Sequence, residues 1–337
     1  MKPFQTVSIC PECGKEVVAR VFGSTDGVWM TKTCSVHGPF SVLLEKDVAV
    51  YDVLRSSTAG IYPGHYVDVT TRCNLSCKYC YFPHVRDAVD PSIEAILEEA
   101  AVVRGPYYLV GAEPTLRKDL PELIERLKPY GACGIATNGT GLLDRDYLQA
   151  VLLSAGRLSD GRAQIVLAYH RGQNEKTFLK VCDALRELGQ GISGPSFVLT
   201  KLEDLDWIMP VAEQAKDTAT AIRIHIENEM WCAGNQSQVY VSEVLAALRA
   251  RAKAEGKDFE WLSQSSRTMW NVARYGDMPI VIVRFNNRFD IDLVNVAIPP
   301  TYRAANGEVV HVIYGYIING IMQRGWLKGR RLESLAQ

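Results

Sequence analysis

Six short apolar runs alternate with amphipathic helical patterns between residues 65 and 227, and this alternation limits the fold more than any other feature. The runs are HYVDVTT, YYLVGA, CGIATNG, QIVLAYH, SFVLT and AIRIHIE. Between them lie PSIEAILEEAAVV, LPELIERLKPY, RDYLQAVLLSA, TFLKVCDALRELG and DWIMPVAEQAKD, which carry apolar residues at helical spacing. Strands separated by helices join as βαβ units, so the pattern predicts an α/β core whose parallel sheet is open or curled into a barrel. That core is assigned to residues 49–240; residues 46–64, across its start, contain Ser, Thr, Gly and Pro and read as a linker. Residues 241–337 read as an α+β extension over the mouth of the sheet. It opens with a helical run, followed by MPIVIVRF and RFDIDLVNV, which predict a hairpin with Asn286-Asn287 at its tip.

Residues 1–48 have a different character. Cys10 and Cys13 form one two-residue knuckle, and Cys34 and His37 form another, each set between short β-like segments. Three thiolates and an imidazole at this spacing close a tetrahedron around Zn²⁺, and a mononuclear iron fits the same donors. Four protein ligands leave no open position, so this zinc-ribbon-like module predicts a structural metal.

The chain has nine cysteines, six of them in two tight clusters, which in a reducing compartment suggests metal ligands before disulfides. Hydrophobic residues make up 47% and charged residues 22%, enough for a sizeable buried core, and the net charge of −1 gives no reason to expect nucleic acid as a partner. The N-terminus lacks the apolar core of a signal peptide, and no uninterrupted apolar stretch is long enough for a membrane span. A cytoplasmic protein is expected.

The second cluster is TTRCNLSCKYCYF, directly after the first expected strand, with Cys73, Cys77 and Cys80 spaced C-x3-C-x2-C. Three thiolates in one loop can hold three irons of a [4Fe–4S] cube and leave the fourth open to a small-molecule chelate. Tyr79, just before the last cysteine, is placed to shield such a cluster. Zinc is the competing metal, with His84 as the fourth ligand.

The spacing, the aromatic residue before the third cysteine and the position after the first strand resemble the radical S-adenosylmethionine (SAM) superfamily. The resemblance covers roughly residues 62–240 and implies a partial (β/α)6 TIM-like barrel that binds a [4Fe–4S] cluster and SAM. Gly111-Ala112-Glu113-Pro114 is similar to the family's GGEP segment, whose backbone meets the SAM amino group, with Ala112 in place of the second glycine. Thr137-Asn138-Gly139 is similar to the TNG that ends the third strand in many relatives. Tyr169 and His170 stand where the family places polar groups near the SAM ribose or carboxylate, and Val198 offers an apolar seat for adenine. A metal knuckle ahead of the cysteine loop resembles the branch with tetraether lipid synthase and hydroxymethylpterin methyltransferase-like proteins.

On the sixth strand Ile222, Ile224 and Ile226 face one way, and Arg223, His225 and Glu227 the other. The second set is costly to bury away from polar ligands or water, so Arg223 and His225 are candidate contacts to SAM or substrate. Cys133 and Cys182 read as buried small hydrophobes. Cys232, after the sixth strand, is a candidate catalytic residue near the site. The expected activity is reductive cleavage of SAM to a 5′-deoxyadenosyl radical that abstracts hydrogen from a small-molecule or lipid substrate. A flavodoxin- or ferredoxin-type donor would supply the electron. The alternative is an iron–sulfur electron-transfer or iron-sensing protein without SAM chemistry.

Overall fold

The computed structural model describes residues 1–58 except 14, then 65–77, 89–102, 106–226, 239–262 and 270–284, with four two-residue strands between 302 and 322. Tyr79, Cys80, His84, Glu227, Cys232, Asn286 and Asn287 lie outside the described residues.

Four antiparallel strands in sequential order form the N-terminal ribbon: β1 (Phe4–Ile9), β2 (Glu16–Ser24), β3 (Gly27–Cys34) and β4 (Gly38–Glu45). Alternation along them buries Ala19, Val21, Val28, Met30, Val42 and Leu44 as a small separate core. The β1–β2 and β3–β4 turns lie at the same end, which brings the two metal knuckles together.

The expected linker at 46–64 is helical over α1 (Val48–Thr58). Asp47 caps it, accepting the Ala49 and Val50 N–H groups at 2.8 and 3.1 Å. Val48 and Tyr51 pack on the ribbon core, whereas Val50 and Leu54 join the larger core beyond. The helical spacing of these four residues outweighs the turn-forming residues that follow them.

All six expected strands are present and parallel: β5 (His65–Thr70), β6 (Tyr107–Gly111), β7 (Cys133–Thr137), β8 (Ala163–Tyr169), β9 (Ile192–Leu199) and β10 (Ile222–Ile226). The connecting helices are α2 (Ile93–Val102), α3 (Leu120–Leu127), α4 (Arg145–Ser154), α5 (Glu175–Glu187) and α6 (Leu205–Ala215). This is the α/β architecture of a partial TIM-like barrel. After α7 (Val241–Ala254), strands β11 (Phe259–Trp261), β12 (Trp270–Tyr275) and β13 (Met278–Arg284) extend the same sheet to nine strands. Strand β13 runs parallel to β10 and antiparallel to β12.

The hairpin expected around Asn286-Asn287 falls outside the described residues; β13 is paired on both edges, and the chain turns between β12 and β13 at Gly276-Asp277. Gly276 has φ +58°, a left-handed conformation suited to this two-residue turn.

The ribbon is tied to the large domain through α7. Buried Glu45 accepts the Ser242 hydroxyl and faces the Ser242 N–H at 3.4 Å, which places a carboxylate at the helix N-terminus. Lys46 pairs with Glu243 at 2.6 Å beside it.

Candidate active site

Cys73 and Cys77 follow β5 directly and are both half-buried. The chain just before them is firmly held. Arg72 forms a two-pronged ion pair with Asp90, and Asp90 also accepts the Thr70 hydroxyl at 2.6 Å. Burial works against the charged Asp90, but the guanidinium and the hydroxyl outweigh it and hold its pKa below the usual carboxylate range. Arg117, 3% exposed, donates to the Val69 and Pro91 carbonyls at 2.9 and 2.7 Å.

The end of β6 is stitched to the cysteine loop by its backbone. Ala112 N–H donates to the Thr70 carbonyl at 3.1 Å and Glu113 N–H to the Arg72 carbonyl at 2.9 Å. Gly111 is required by this approach: its φ is +119°, and a Cβ there would lie 2.2 Å from the Thr70 oxygen. Ala112 is partly buried and packs against the large core.

The Glu113 side chain is 1% exposed and every partner it has here is a donor. One oxygen receives Thr115 N–H at 2.9 Å, Thr137 Oγ1 at 2.6 Å and the Thr115 hydroxyl; the other receives Asn138 N–H at 2.6 Å. Thr137 Oγ1 also accepts Gly139 N–H at 2.9 Å, and Thr115 Oγ1 faces Gly141 N–H at 3.3 Å. Burial pushes the Glu113 pKa up, and the four donors oppose that shift. The pocket is built for the carboxylate, which binds the end of β6 to the end of β7.

A prediction follows from this all-donor shell. Glu113→Ala strands two fixed backbone N–H groups and is expected to cost about 4 kcal/mol. Glu113→Gln, though nearly isosteric, is expected to cost about 2 kcal/mol, because its NH₂ must meet the Thr115 or the Asn138 N–H. Urea unfolding measures both, and a Gln variant as stable as wild type would count against a bound carboxylate.

Asn138 and Asn174 continue the network across the strand ends. Asn138 is 4% exposed and donates from Nδ2 to Asn74 Oδ1 at 2.9 Å, with Cys73 Sγ at 4.0 Å. Asn174, 3% exposed, donates to the Asn138 and Ala168 carbonyls, each at 2.8 Å, and accepts His170 N–H at 2.7 Å. Gln173 Oε1 accepts Ser76 N–H at 3.0 Å, so the segment after β8 also grips the cysteine loop. Sequence reasoning missed Arg72, Asp90, Thr115, Gln173 and Asn174. The only signal was their polarity beside the motifs.

Strand register sorts the other candidates. Ala168, Ser196, Val198, Arg223 and His225 share one face, because Ala168 is paired with Ser196, Ser196 with Arg223, and Val198 with His225. Ile222, Ile224 and Ile226, each at most 1% exposed, face the helices. Arg223 is buried and His225 half-buried. Burial holds the His225 pKa down to about 3, helped by Arg223, and the His170 pKa down to about 4, so both imidazoles are neutral at physiological pH.

Tyr169 lies on the opposite, helix-covered face. Its ring meets Phe178 edge-on at 5.2 Å and stacks on Trp207 at 5.5 Å. The expectation of a nucleoside contact is corrected to a packing role, because alternation along β8 turns this residue away from the face that carries Ala168. Cys133 and Cys182, each 1% exposed, are core residues as expected.

In the ribbon, donor atoms of Cys10, Cys13, Cys34 and His37 lie within 4.8 Å of one another. His37 Nδ1 is 3.6 Å from both Cys10 Sγ and Cys34 Sγ, and Cys13 Sγ is 3.9 Å from Cys34 Sγ. Tetrahedral zinc bonds of about 2.3 Å to sulfur and 2.0–2.1 Å to nitrogen imply edges of about 3.8 and 3.6 Å, so the four donors fit a metal. The Val36 and His37 N–H groups and the His37 ring lower the Cys34 pKa to about 6, towards the thiolate a metal needs.

Residues 3–46 match the HMPTM N-terminal zinc ribbon domain and residues 67–208 match the radical SAM superfamily. The chain is 27% identical over 211 residues to a 7,8-dihydro-6-hydroxymethylpterin dimethyltransferase of Methanocaldococcus jannaschii, covering 52% of this chain and 40% of that protein. It is 40% identical over 80 residues to a probable GTP 3′,8-cyclase of Pyrococcus horikoshii, covering 22% and 26%. A solved structure of Streptococcus suis SuiB bound to precursor peptide SuiA aligns with TM-score 0.46 and 17% identity, over 67% of this chain and 49% of SuiB. The chain thus spans less than half the length of these relatives. The chain carries a radical SAM superfamily domain over residues 67–208, preceded by a zinc ribbon of the HMPTM type over residues 3–46.

Proposed function

We propose that the chain holds a [4Fe–4S] cluster on Cys73, Cys77 and Cys80 and uses it to cleave SAM. The radical formed would then take hydrogen from a small nitrogen heterocycle, in preference to a lipid. The observation that carries this reading is the anchoring of the cysteine loop at the carboxyl ends of β5, β6, β7 and β8, where parallel α/β folds bind their ligands. Donors from Leu75 and Asn138 already face Cys73 Sγ, which suits a thiolate ligand. The names of the relatives, a pterin methyltransferase and a GTP cyclase, favour a fused heterocycle as substrate.

When bound, the cluster and SAM supply a 5′-deoxyadenosyl radical. The chain's part is to bind, orient and exclude water. Gly111, Ala112 and Glu113 would present backbone to the SAM amino group, held in place by the buried Glu113 carboxylate. Thr137 and Asn138 close that side, and His170, neutral, would hydrogen-bond the ribose or carboxylate. Val198 would seat adenine, and Arg223 with His225 would meet SAM or substrate on the same face. Tyr79 would shield the cluster and Cys232 would approach the reacting atoms.

The extension from 241 to 337 would cover the substrate, although its first strands belong to the large sheet. A flavodoxin- or ferredoxin-type protein would supply the electron. Among the described residues no helix is long and apolar enough to cross a membrane, and we place the enzyme in the cytoplasm.

The test is anaerobic reconstitution with iron and sulfide, dithionite reduction with SAM, and chromatography for 5′-deoxyadenosine. Its formation supports the reading. A cluster that assembles while SAM stays intact, with pterin and guanine nucleotide present as substrates, favours an electron-transfer or iron-sensing role.

A further inference from the structure

Cys73 Sγ faces two donors of different origin. The Leu75 backbone N–H, at 3.4 Å, belongs to the loop's own turn, and almost any residue there would supply it. The other, Asn138 Nδ2 at 4.0 Å, comes from the end of β7, 65 residues away in sequence. Its orientation is determined by its surroundings. Asn138 Oδ1 accepts Thr140 N–H at 2.9 Å, so the NH₂ group must face the cysteine loop. One of its protons goes to Asn74 Oδ1 at 2.9 Å, leaving the other for the sulfur. Both backbone groups are engaged as well, the N–H by Glu113 at 2.6 Å and the carbonyl by Asn174 at 2.8 Å. The side chain is more than nine-tenths buried and has little freedom to turn elsewhere.

A donor aimed at a ligating sulfur stabilises the more negative, reduced state of an iron–sulfur cluster. We infer that Asn138 is a positioning residue that donates a hydrogen bond to the Cys73 thiolate and so raises the reduction potential of the cluster. This rests on the assignment of the cluster to Cys73. The role is separate from any contact Asn138 makes to SAM, because it acts through a protein ligand and needs no SAM to be bound.

The experiment is a redox titration of the reconstituted full-length chain without SAM, followed by electron paramagnetic resonance, for wild type, Asn138→Ser and Asn138→Asp. Both substitutions keep an oxygen to accept Thr140 N–H and preserve the local turn. Serine removes the amide donor without adding charge, and aspartate replaces the donor with a negative group. The expected result is a roughly tenfold weaker preference for the reduced cluster in the serine variant, equal to about 59 mV for a one-electron couple. The aspartate variant should move further in the same direction.

An unchanged midpoint in the serine variant overturns the proposal, even if aspartate shifts it, since the shift would then report charge alone. Loss of the cluster from both variants at unchanged melting temperature also overturns it, because Asn138 would then build the loop without tuning the potential. A wild-type chain that assembles no cluster sinks the proposed function together with this inference. A wild type that cleaves SAM beside serine and wild-type midpoints that coincide sinks the inference alone.

Discussion

Cys77→Ala is expected to abolish 5′-deoxyadenosine formation, whereas Cys133→Ala and Cys182→Ala should leave cluster content and product yield near wild type. The difference lies in where each thiol stands. Cys77 is half-buried in the loop that Arg72, Glu113, Asn138 and Gln173 anchor at the strand ends. A cube that takes three ligands from one loop is left with two when Cys77 is removed, and iron content should fall with activity. Cys133 and Cys182 are each 1% exposed, and burial pushes their thiols up to about 12 and about 11. At physiological pH they stay protonated, and a neutral thiol is a poor iron ligand. Each alanine there should cost about 1 kcal/mol of stability from lost packing and nothing at the cluster. Iron per chain and 5′-deoxyadenosine yield decide the matter, and product from Cys77→Ala would remove that residue from the cluster.

Stripping the metal from the ribbon should unfold most of residues 3–46 and leave the large sheet standing. The ribbon's separate core contains six buried apolar side chains, including one alanine, which is too small to hold a four-stranded sheet alone. A structural metal on four such ligands contributes about 10 kcal/mol or more, so its loss removes most of what keeps the strands paired. Hydrogen exchange before and after chelation measures the effect. Amides in β2, β3 and β4 should lose protection, while those in β7, β8 and β9, within the larger core, should keep theirs. The N-terminus of α7 should also loosen, because Glu45 reaches Ser242 only from a folded ribbon. Ribbon amides that stay protected without metal would show that α1 and α7 alone suffice to hold it.

The parts that were legible in the sequence are those governed by local pattern. Alternating apolar runs and helical stretches specify the six parallel strands in order, because each strand's two faces and each helix's one face are written at fixed spacing. The paired knuckles at Cys10–Cys13 and Cys34–His37 point to four donors that could hold a metal, and the fold brings those donors within 4.8 Å of one another. The cysteine loop and the segments at Gly111, Thr137 and His170 specify the radical SAM resemblance.

Other features were decided only when distant segments met. Nothing near Tyr169 in sequence says which face of β8 is covered by helices; that depends on how Phe178 and Trp207 pack. The MPIVIVR run reads as a strand, but that it lies between β10 and β12 was set by segments distant in sequence. Helix α1 is hidden behind linker-like residues because what stabilises it is contact with two separate cores. Most of all, Glu113 is an ordinary motif residue in the sequence. Its role as a buried carboxylate ringed by donors exists only because Thr115, Thr137 and Asn138 converge on it. Hydrogen bonds between strand ends have no sequence period, so the periodic signal that identified the strands could not reveal the network that joins them.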